Sequence, residues 1–366
     1  MLTAITAALL MSTNMNAATH DVHLDNQSEK YKTGDYASIS HLTPSHDGTE
    51  FYGIYGSYTD NNSLYVMDAV TGKTTKKIKL PDVNVNPNTY GPFDMMMSPD
   101  GKMIYIIAST KVIKIDVVNK EISAVISTGQ KSSDRSMDIS GDGLKAVAAD
   151  YADYGGNDET YIHIVDTHKN ILSDAIPKRS AQGGFYRAGF ANLVVDKLTN
   201  KVYLIDGQTD DSIAILDLNT KKLQLNAIPL SSSASIWSMA IDSSRGLLYI
   251  IEPDKYLLDI IDINARKIVE QVKINEMRPD KVTLSPDGNR AYIHSNRSSN
   301  VIVLDTKSRR MIKTLYIPSD ELQISSNGKL IYTLTYSHIF GESWSNVHIY
   351  DAETGKEIKS FPVERV

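Results

Sequence analysis

The chain contains no cysteine. That absence excludes disulfides, thiolate nucleophiles, Cys-based zinc or iron–sulfur sites and haem attachment through C-x-x-C-H, and it leaves the redox compartment unmarked. Basic charge is also short, with 38 Lys and Arg against 44 Asp and Glu and a formal net charge of −6. A chain of this balance has no general attraction for polyanions, so nucleic-acid binding would need a local basic patch. Downstream of the N-terminus no window is long and apolar enough to span a bilayer. H-E-x-x-H and H-x-x-x-H spacings, G-x-S-x-G, a P-loop and a dinucleotide-binding glycine pattern are missing too, so no standard enzyme signature stands out. No cofactor is implied.

The first eighteen residues, MLTAITAALLMSTNMNAA, hold an apolar run from Leu2 to Met11 followed by polar and small residues. This pattern resembles a secretory leader cleaved near Ala17 or Ala18, although no Lys or Arg precedes the apolar run. The expectation is a periplasmic or secreted protein. Residues 19–40 are weakly patterned and read as a linker or a strand that helps close the structure, with a single repeat domain over 41–366.

What the chain has in abundance is repetition. An Asp that ends an apolar strand and opens a tight turn occurs seven times, at Asp68, Asp116, Asp166, Asp217, Asp262, Asp305 and Asp351, at intervals of 43 to 51 residues. Upstream of it stands another turn, clearest as Ser98-Pro99-Asp100-Gly101, Ser140-Gly141-Asp142-Gly143, Ser285-Pro286-Asp287-Gly288 and Ser325-Ser326-Asn327-Gly328. A strand carrying Tyr52, Tyr105, Tyr203, Tyr249, Tyr292 or Tyr332 follows that turn, with Val147 in the third block. Lys281 to Ile317 is the most regular copy: three turn signals separate four short apolar or alternating runs, the pattern of one four-stranded antiparallel sheet. Seven such blocks of propeller-blade length predict an all-β fold, a seven-bladed β-propeller of four-stranded antiparallel blades.

The Ser-Pro-Asp-Gly turn, the strand Ala291-Tyr292-Ile293-His294-Ser295-Asn296 and the run Val301-Ile302-Val303-Leu304-Asp305-Thr306 resemble the YVTN-type repeat of bacterial seven-bladed propellers. The resemblance covers about residues 41 to 363 and is clearest in the second and sixth blocks. It implies the same ring and agrees with export. It supplies no catalytic residues, and a fold of this kind does not by itself carry a function.

Because strands alternate direction, the first-to-second and third-to-fourth turns lie on one face, and the second-to-third loops and the inter-blade connections lie on the other. On that second face three blocks are longer, by Tyr55–Asn62, Tyr151–Asp158 and Tyr336–Trp344, and two long connections join them, 81–93 and 178–187. They belong to blocks seven, one, two, three and the start of four, which are neighbours in a ring. Aromatic loops on a rigid scaffold suit recognition. The candidate residues are Tyr58, Tyr90, Phe93, Tyr151, Tyr154, Tyr186, His338 and Trp344 on the rim, with Arg135, Arg187, Trp237 and Arg278 at the entrance to the innermost strands. The arginines with Lys281 form a candidate anion site, or else pair with Asp134, Asp280, Asp320 and other acids nearby. The leading expectation is a monomeric, non-enzymatic module that binds a protein, peptide or glycan. Two alternatives are a lactonase-like, metal-dependent hydrolase drawing on Asp94, Glu321 and His338 in the channel, and a binder of single-stranded nucleic acid. Asp138 to Gly143 resembles half a calcium loop, but Ala149 stands where the closing Glu is needed, so it reads as a repeat turn.

Overall fold

The computed structural model describes residues 36–55, 62–81, 94–108, 110–129, 133–152, 160–178, 188–206, 212–230, 236, 238–275, 277–339 and 342–366. They form seven antiparallel blades of four strands, with one 3-10 turn at Pro253–Lys255 as the helical element among them. The innermost strands, from blade 1 to blade 7, are Ile39–Pro44, Asp94–Met97, Ser133–Ile139, Ala188–Asp196, Ser238–Asp242, Lys281–Leu284 and Glu321–Ile324. Each touches the next around the circle, and that of blade 7 touches that of blade 1, so the ring is closed.

The turn motif explains why each blade starts alike. In blade 2 the Ser98 hydroxyl donates to Asp100 Oδ1 at 2.6 Å, and Ser98 Oγ accepts the Met103 amide at 2.9 Å. Asp100 Oδ1 also accepts the Lys102 amide at 3.1 Å. The same trio recurs at Ser140 and Asp142, Ser285 and Asp287, and Ser325 and Asn327. It recurs again at Ser45 and Asp47 in blade 1. The motif's glycine sits at φ +71° in blade 2, a left-handed conformation that a residue with a Cβ resists. The seven marker aspartates act likewise at the third-to-fourth turn: Asp116 Oδ1 accepts the Val118 and Asn119 amides at 2.9 and 2.8 Å, and Asp262 accepts Asn264 and Ala265 at 2.9 and 2.8 Å. They are turn caps, as their sequence context indicates.

The core lies in seven layers, one in each seam between neighbouring blades. Second strands are buried on both faces, which is why they read as unbroken apolar runs: in Met103–Ala108, Ile104 and Ile106 pack towards blade 1 while Tyr105 and Ile107 pack towards blade 3. The repeated tyrosine of each blade fills the seam with the following blade, from Tyr52 in the seam of blades 1 and 2 to Tyr332 in the seam of blades 7 and 1. Val147 does so in blade 3. All six tyrosines are essentially buried, and each contributes roughly 1.5–3 kcal/mol of apolar burial, typical of a large side chain.

Two elements exceed the repeat. In blade 7 the middle strands run to ten residues each, Leu330–Ile339 and Glu342–Asp351, and remain paired out to Ile339 and Glu342. Tyr336 to Trp344, read from the sequence as a loop insertion, is therefore mostly a continuation of a ladder. In blade 3 the second strand, Lys145–Ala152, reaches past its blade so that Tyr151 and Ala152 pair with Gly189 and Ala188 of blade 4. Blades 3 and 4 are joined into one hydrogen-bonded sheet.

Candidate functional site

Counting back four residues from the first residue of each first-to-second turn gives one equivalent position per blade: His41, Asp94, Ser136, Asn192, Ser238, Lys281 and Glu321. The residue that follows is apolar and buried in every blade, namely Leu42, Met95, Met137, Leu193, Met239, Val282 and Leu322. In four of the seven blades the polar side chain reaches the backbone of the next blade at that following residue. Asp94 Oδ2 accepts the Met137 amide at 3.1 Å, Ser136 Oγ accepts Leu193 at 3.2 Å, Ser238 Oγ accepts Val282 at 3.2 Å, and Glu321 Oε2 accepts Leu42 at 2.9 Å. Innermost strands have no inner neighbour, so these bonds satisfy amides that would otherwise face the channel wall unpaired.

Asp94 also takes its neighbour's amide, Met95, on Oδ1 at 2.8 Å. Its carboxyl is nevertheless pushed up to about 6, because burial disfavours its charge and Glu321 adds repulsion, against the opposing pull of His41 and the two amides. Glu321, His41 and Asp94 thus form an arc over blades 7, 1 and 2. His41 is left-handed at φ +58° and its Nδ1 is buried without a hydrogen-bond partner. Among the described residues no three His, Asp or Glu side chains are grouped to hold a metal ion. Asp94 and Glu321, the carboxylates that the hydrolase reading relies on, are bound to backbone amides of neighbouring strands.

Counted along the sequence, the arginines of the expected funnel do not share the register of this position. Arg135 and Trp237 precede the shared position by one residue, Arg278 precedes it by three and Arg187 by five. Arg278 is held by acids, Nη2 to Asp254 Oδ1 at 2.8 Å and Nη1 to Asp280 Oδ1 at 3.2 Å, which raise its pKa further. Asp280 in turn accepts the Ser295 hydroxyl at 2.7 Å and the Asn296 amide at 3.1 Å, so Arg278 braces a loop rather than presenting a free fork to an anion.

Of the other candidates, Tyr58, Tyr90, Phe93, Tyr154, Tyr186, Arg187 and Trp237 lie outside the described residues. Arg135 and Tyr151 are placed by backbone only, in the innermost strand of blade 3 and in its second strand, where Tyr151 pairs with Ser133. His338 and Trp344 stand in the long hairpin of blade 7, opposite Ser343 and Ser337. On the same hairpin the structure adds Tyr336, half-exposed, whose amide donates to Asp320 Oδ2 at 2.9 Å. Sequence reasoning did not single out His41, and it named Tyr336 only as the start of the blade 7 insertion. Alignment on Ser45-His46-Asp47-Gly48 would have found His41, and the alternation Tyr336, His338 along a strand would have found Tyr336.

No protein-family model matches the chain. It is similar to the human WD repeat-containing protein 36, with 26% identity over 189 residues that make up 49% of this chain and 21% of that protein. It is also similar to the uncharacterized protein YncE of Salmonella typhi, with 24% identity over 173 residues, 46% of this chain and 47% of that protein. The chain therefore spans less than half the length of these curated relatives. Among solved structures, Kuenenia stuttgartiensis hydrazine synthase shares the fold, with a TM-score of 0.57 and 20% identity over 72% of this chain and 82% of that one. Together these relationships support a seven-bladed β-propeller with WD-repeat and YncE-like relatives at low identity, while the YVTN-type repeat stays at the level of resemblance.

Proposed function

We propose that this propeller is an exported, non-enzymatic binding scaffold that takes a protein, peptide or glycan on the face bearing its second-to-third loops. The observation that carries this reading is the blade 7 hairpin, whose ten-residue strands stand beyond the five to eight residues of the corresponding strands elsewhere and bring Tyr336 and Trp344 to that face. A regular ladder gives these side chains a rigid mount, which lowers the entropy lost when a partner is captured. The join between blades 3 and 4 stiffens the same face on the other side of blades 1 and 2. Similarity to a WD-repeat protein agrees with a scaffold role, and export rests on the leader-like pattern of residues 1–18.

The test is capture from envelope extract by immobilised wild-type protein and by the double variant Tyr336→Ala, Trp344→Ala. Loss of the captured partner from the variant, with an unchanged thermal unfolding midpoint, is the expected result. Equal capture by both proteins would remove the hairpin from the binding face.

A further inference from the structure

Blade 5 buries two carboxyls where neither has a full set of partners. Its second strand, Leu247–Glu252, ends in Glu252, and its third, Leu257–Asp262, carries Asp259; the two residues are 1% and 0% exposed. Both side chains share the face of Ile250, which is the rung partner of Asp259 and packs into the seam with blade 4. Asp259 Oδ1 accepts Gln271 Nε2 at 3.0 Å, whereas Asp259 Oδ2 and Glu252 Oε1 have no hydrogen-bond donor. Lys255 Nζ lies 2.7 Å from Glu252 Oε2. One ammonium therefore faces two adjoining carboxyls.

Among the described residues no second cation is paired with either carboxyl; Lys273, on the same face of the outer strand as Gln271, is exposed. The outer strand, Lys267–Lys273, supplies the neutral Gln271, and its Glu270 is engaged by Arg309. From blade 6, Arg278 is taken by Asp254 and Asp280. Blade 4 lines this seam with an apolar layer that includes Ile205, Ile213 and Ile228. Two carboxylates against one ammonium would leave a net buried negative charge, which is costly without a counterion. A single proton held on Asp259, beside Glu252, removes that charge.

Lys255 belongs to the 3-10 turn Pro253–Lys255, which is closed by Tyr256 in a left-handed conformation at φ 57°. A side-chain-bearing residue resists that conformation, so the turn depends on what clamps it. We propose that Glu252, Asp259 and Lys255 form a proton-operated latch: a proton on Asp259 keeps the turn shut on the seam of blades 4 and 5, and its loss to water releases the turn. Asp254, in the same turn, carries the release to Arg278 and so to the entrance of the innermost strand of blade 6.

Burial, with Glu252 adding repulsion, pushes the Asp259 carboxyl up to about 6, which places the latch in the range of mildly acid to neutral surroundings. A group held above its unfolded value stabilises the closed form at low pH, and that stabilisation is lost as pH rises through about 6. The experiment is amide hydrogen exchange of residues 254–258 in the full chain between pH 4 and 8, corrected for intrinsic exchange. In the wild type the opening constant is expected to rise roughly tenfold per pH unit between about pH 4 and 6, the response to one proton, and to level off above about 6. In Asp259→Asn it is expected to stay flat. A flat wild-type profile, or the same rise in the variant, overturns the latch. If Asp259→Asn does not fold, carbon-13 carboxyl titration of the wild type decides the matter. A coupled pair with one proton retained to about pH 6 supports the latch, and two independent titrations near ordinary carboxylate values overturn it.

Discussion

Asp94 combines two roles that pull on its charge in opposite directions. Its oxygens tie blade 2 to blade 3 through the Met137 amide, which favours the carboxylate, while burial and Glu321 favour the acid and raise it to about 6. Because its folded value lies above the unfolded one, Asp94 stabilises the fold below about pH 4, and this contribution is lost as pH rises through about 6. The turn aspartates behave in the opposite way. Asp100 and Asp287 are lowered, chiefly by the Ser98 and Ser285 hydroxyls, so their contribution is present above about pH 4 and is lost as pH falls. Stability should therefore peak on the acid side of neutrality. Asp94→Asn keeps one amide acceptor and cannot ionise, so it should flatten the decline between pH 4 and 6 by up to about 1.4 kcal/mol per pH unit, the slope of one proton. Denaturant unfolding of both proteins at several pH values checks this, and identical slopes would show that Asp94 does not titrate there. Asp94, Lys281 and Glu321 stood out in the sequence by their chemistry, as did Arg135, Trp237 and Arg278, whereas His41, Ser136 and Ser238, which share Asp94's register, become visible only by counting back from the turn.

At the scale of elements, the turns were the most legible part of the chain, because Ser-x-Asp-Gly and the strand-ending Asp encode their own hydrogen bonds within five residues. What a turn touches in the next blade is not encoded locally. Gly141, in the blade 3 turn, shows the difference: a Cβ there would lie 2.0 Å from the Lys197 carbonyl oxygen of the blade 4 turn. Lys197 is fastened in return, since its ammonium contacts Asp138 and the Ile139 carbonyl and its amide donates to Ser243 Oγ at 3.0 Å. Gly141→Ala should therefore cost about 3 kcal/mol, at the upper end of overpacking, because the obstructing atom is backbone. Gly129→Ala, with φ +78° and nothing within 4 Å of the new Cβ, should cost about 1 kcal/mol from conformation alone. Equal losses in equilibrium unfolding would mean that the blade 4 turn moves aside freely. The blade 7 hairpin was misread for a related reason: Tyr, Ser, His and Gly between two apolar runs look like a loop, and only the pairing of Tyr336 with Ser345 and of Ser337 with Trp344 makes them strand.

Over the whole molecule, the blade count follows from the repeat interval, but the manner of closure does not, because the seam of blades 7 and 1 joins the two ends of the repeat array. Six seams are bridged by the continuous chain, and this one relies on contacts alone. Its core includes Phe51 against Tyr332 in an edge-to-face arrangement with ring centroids 4.9 Å apart. Its backbone is stitched by Ala37, whose amide donates to the Val363 carbonyl at 2.8 Å and whose carbonyl accepts Ser345 at 3.0 Å. The Val363 amide donates to the Ser345 carbonyl at 2.9 Å, while the Ser345 hydroxyl accepts the Ile39 amide at 2.9 Å and donates to its carbonyl at 3.0 Å. The segment just before blade 1 and the end of blade 7 therefore lock each other, with the Thr74 hydroxyl donating to the Glu364 carbonyl at 3.0 Å. A chain ending at Pro362 loses a fully buried valine, about 2 kcal/mol, and the two backbone hydrogen bonds of Val363, about 1 kcal/mol each, with the exposed Thr74 contact and the Tyr36–Glu364 bridge adding little. It should unfold about 4 kcal/mol more easily than the full chain. The weakening should concentrate at the seam, so limited proteolysis should cut first in blades 7 and 1 and leave blades 3 and 4, joined in one sheet, intact longest. Unchanged stability, or first cuts elsewhere in the ring, would show that the apolar layer closes the propeller without its terminal lock.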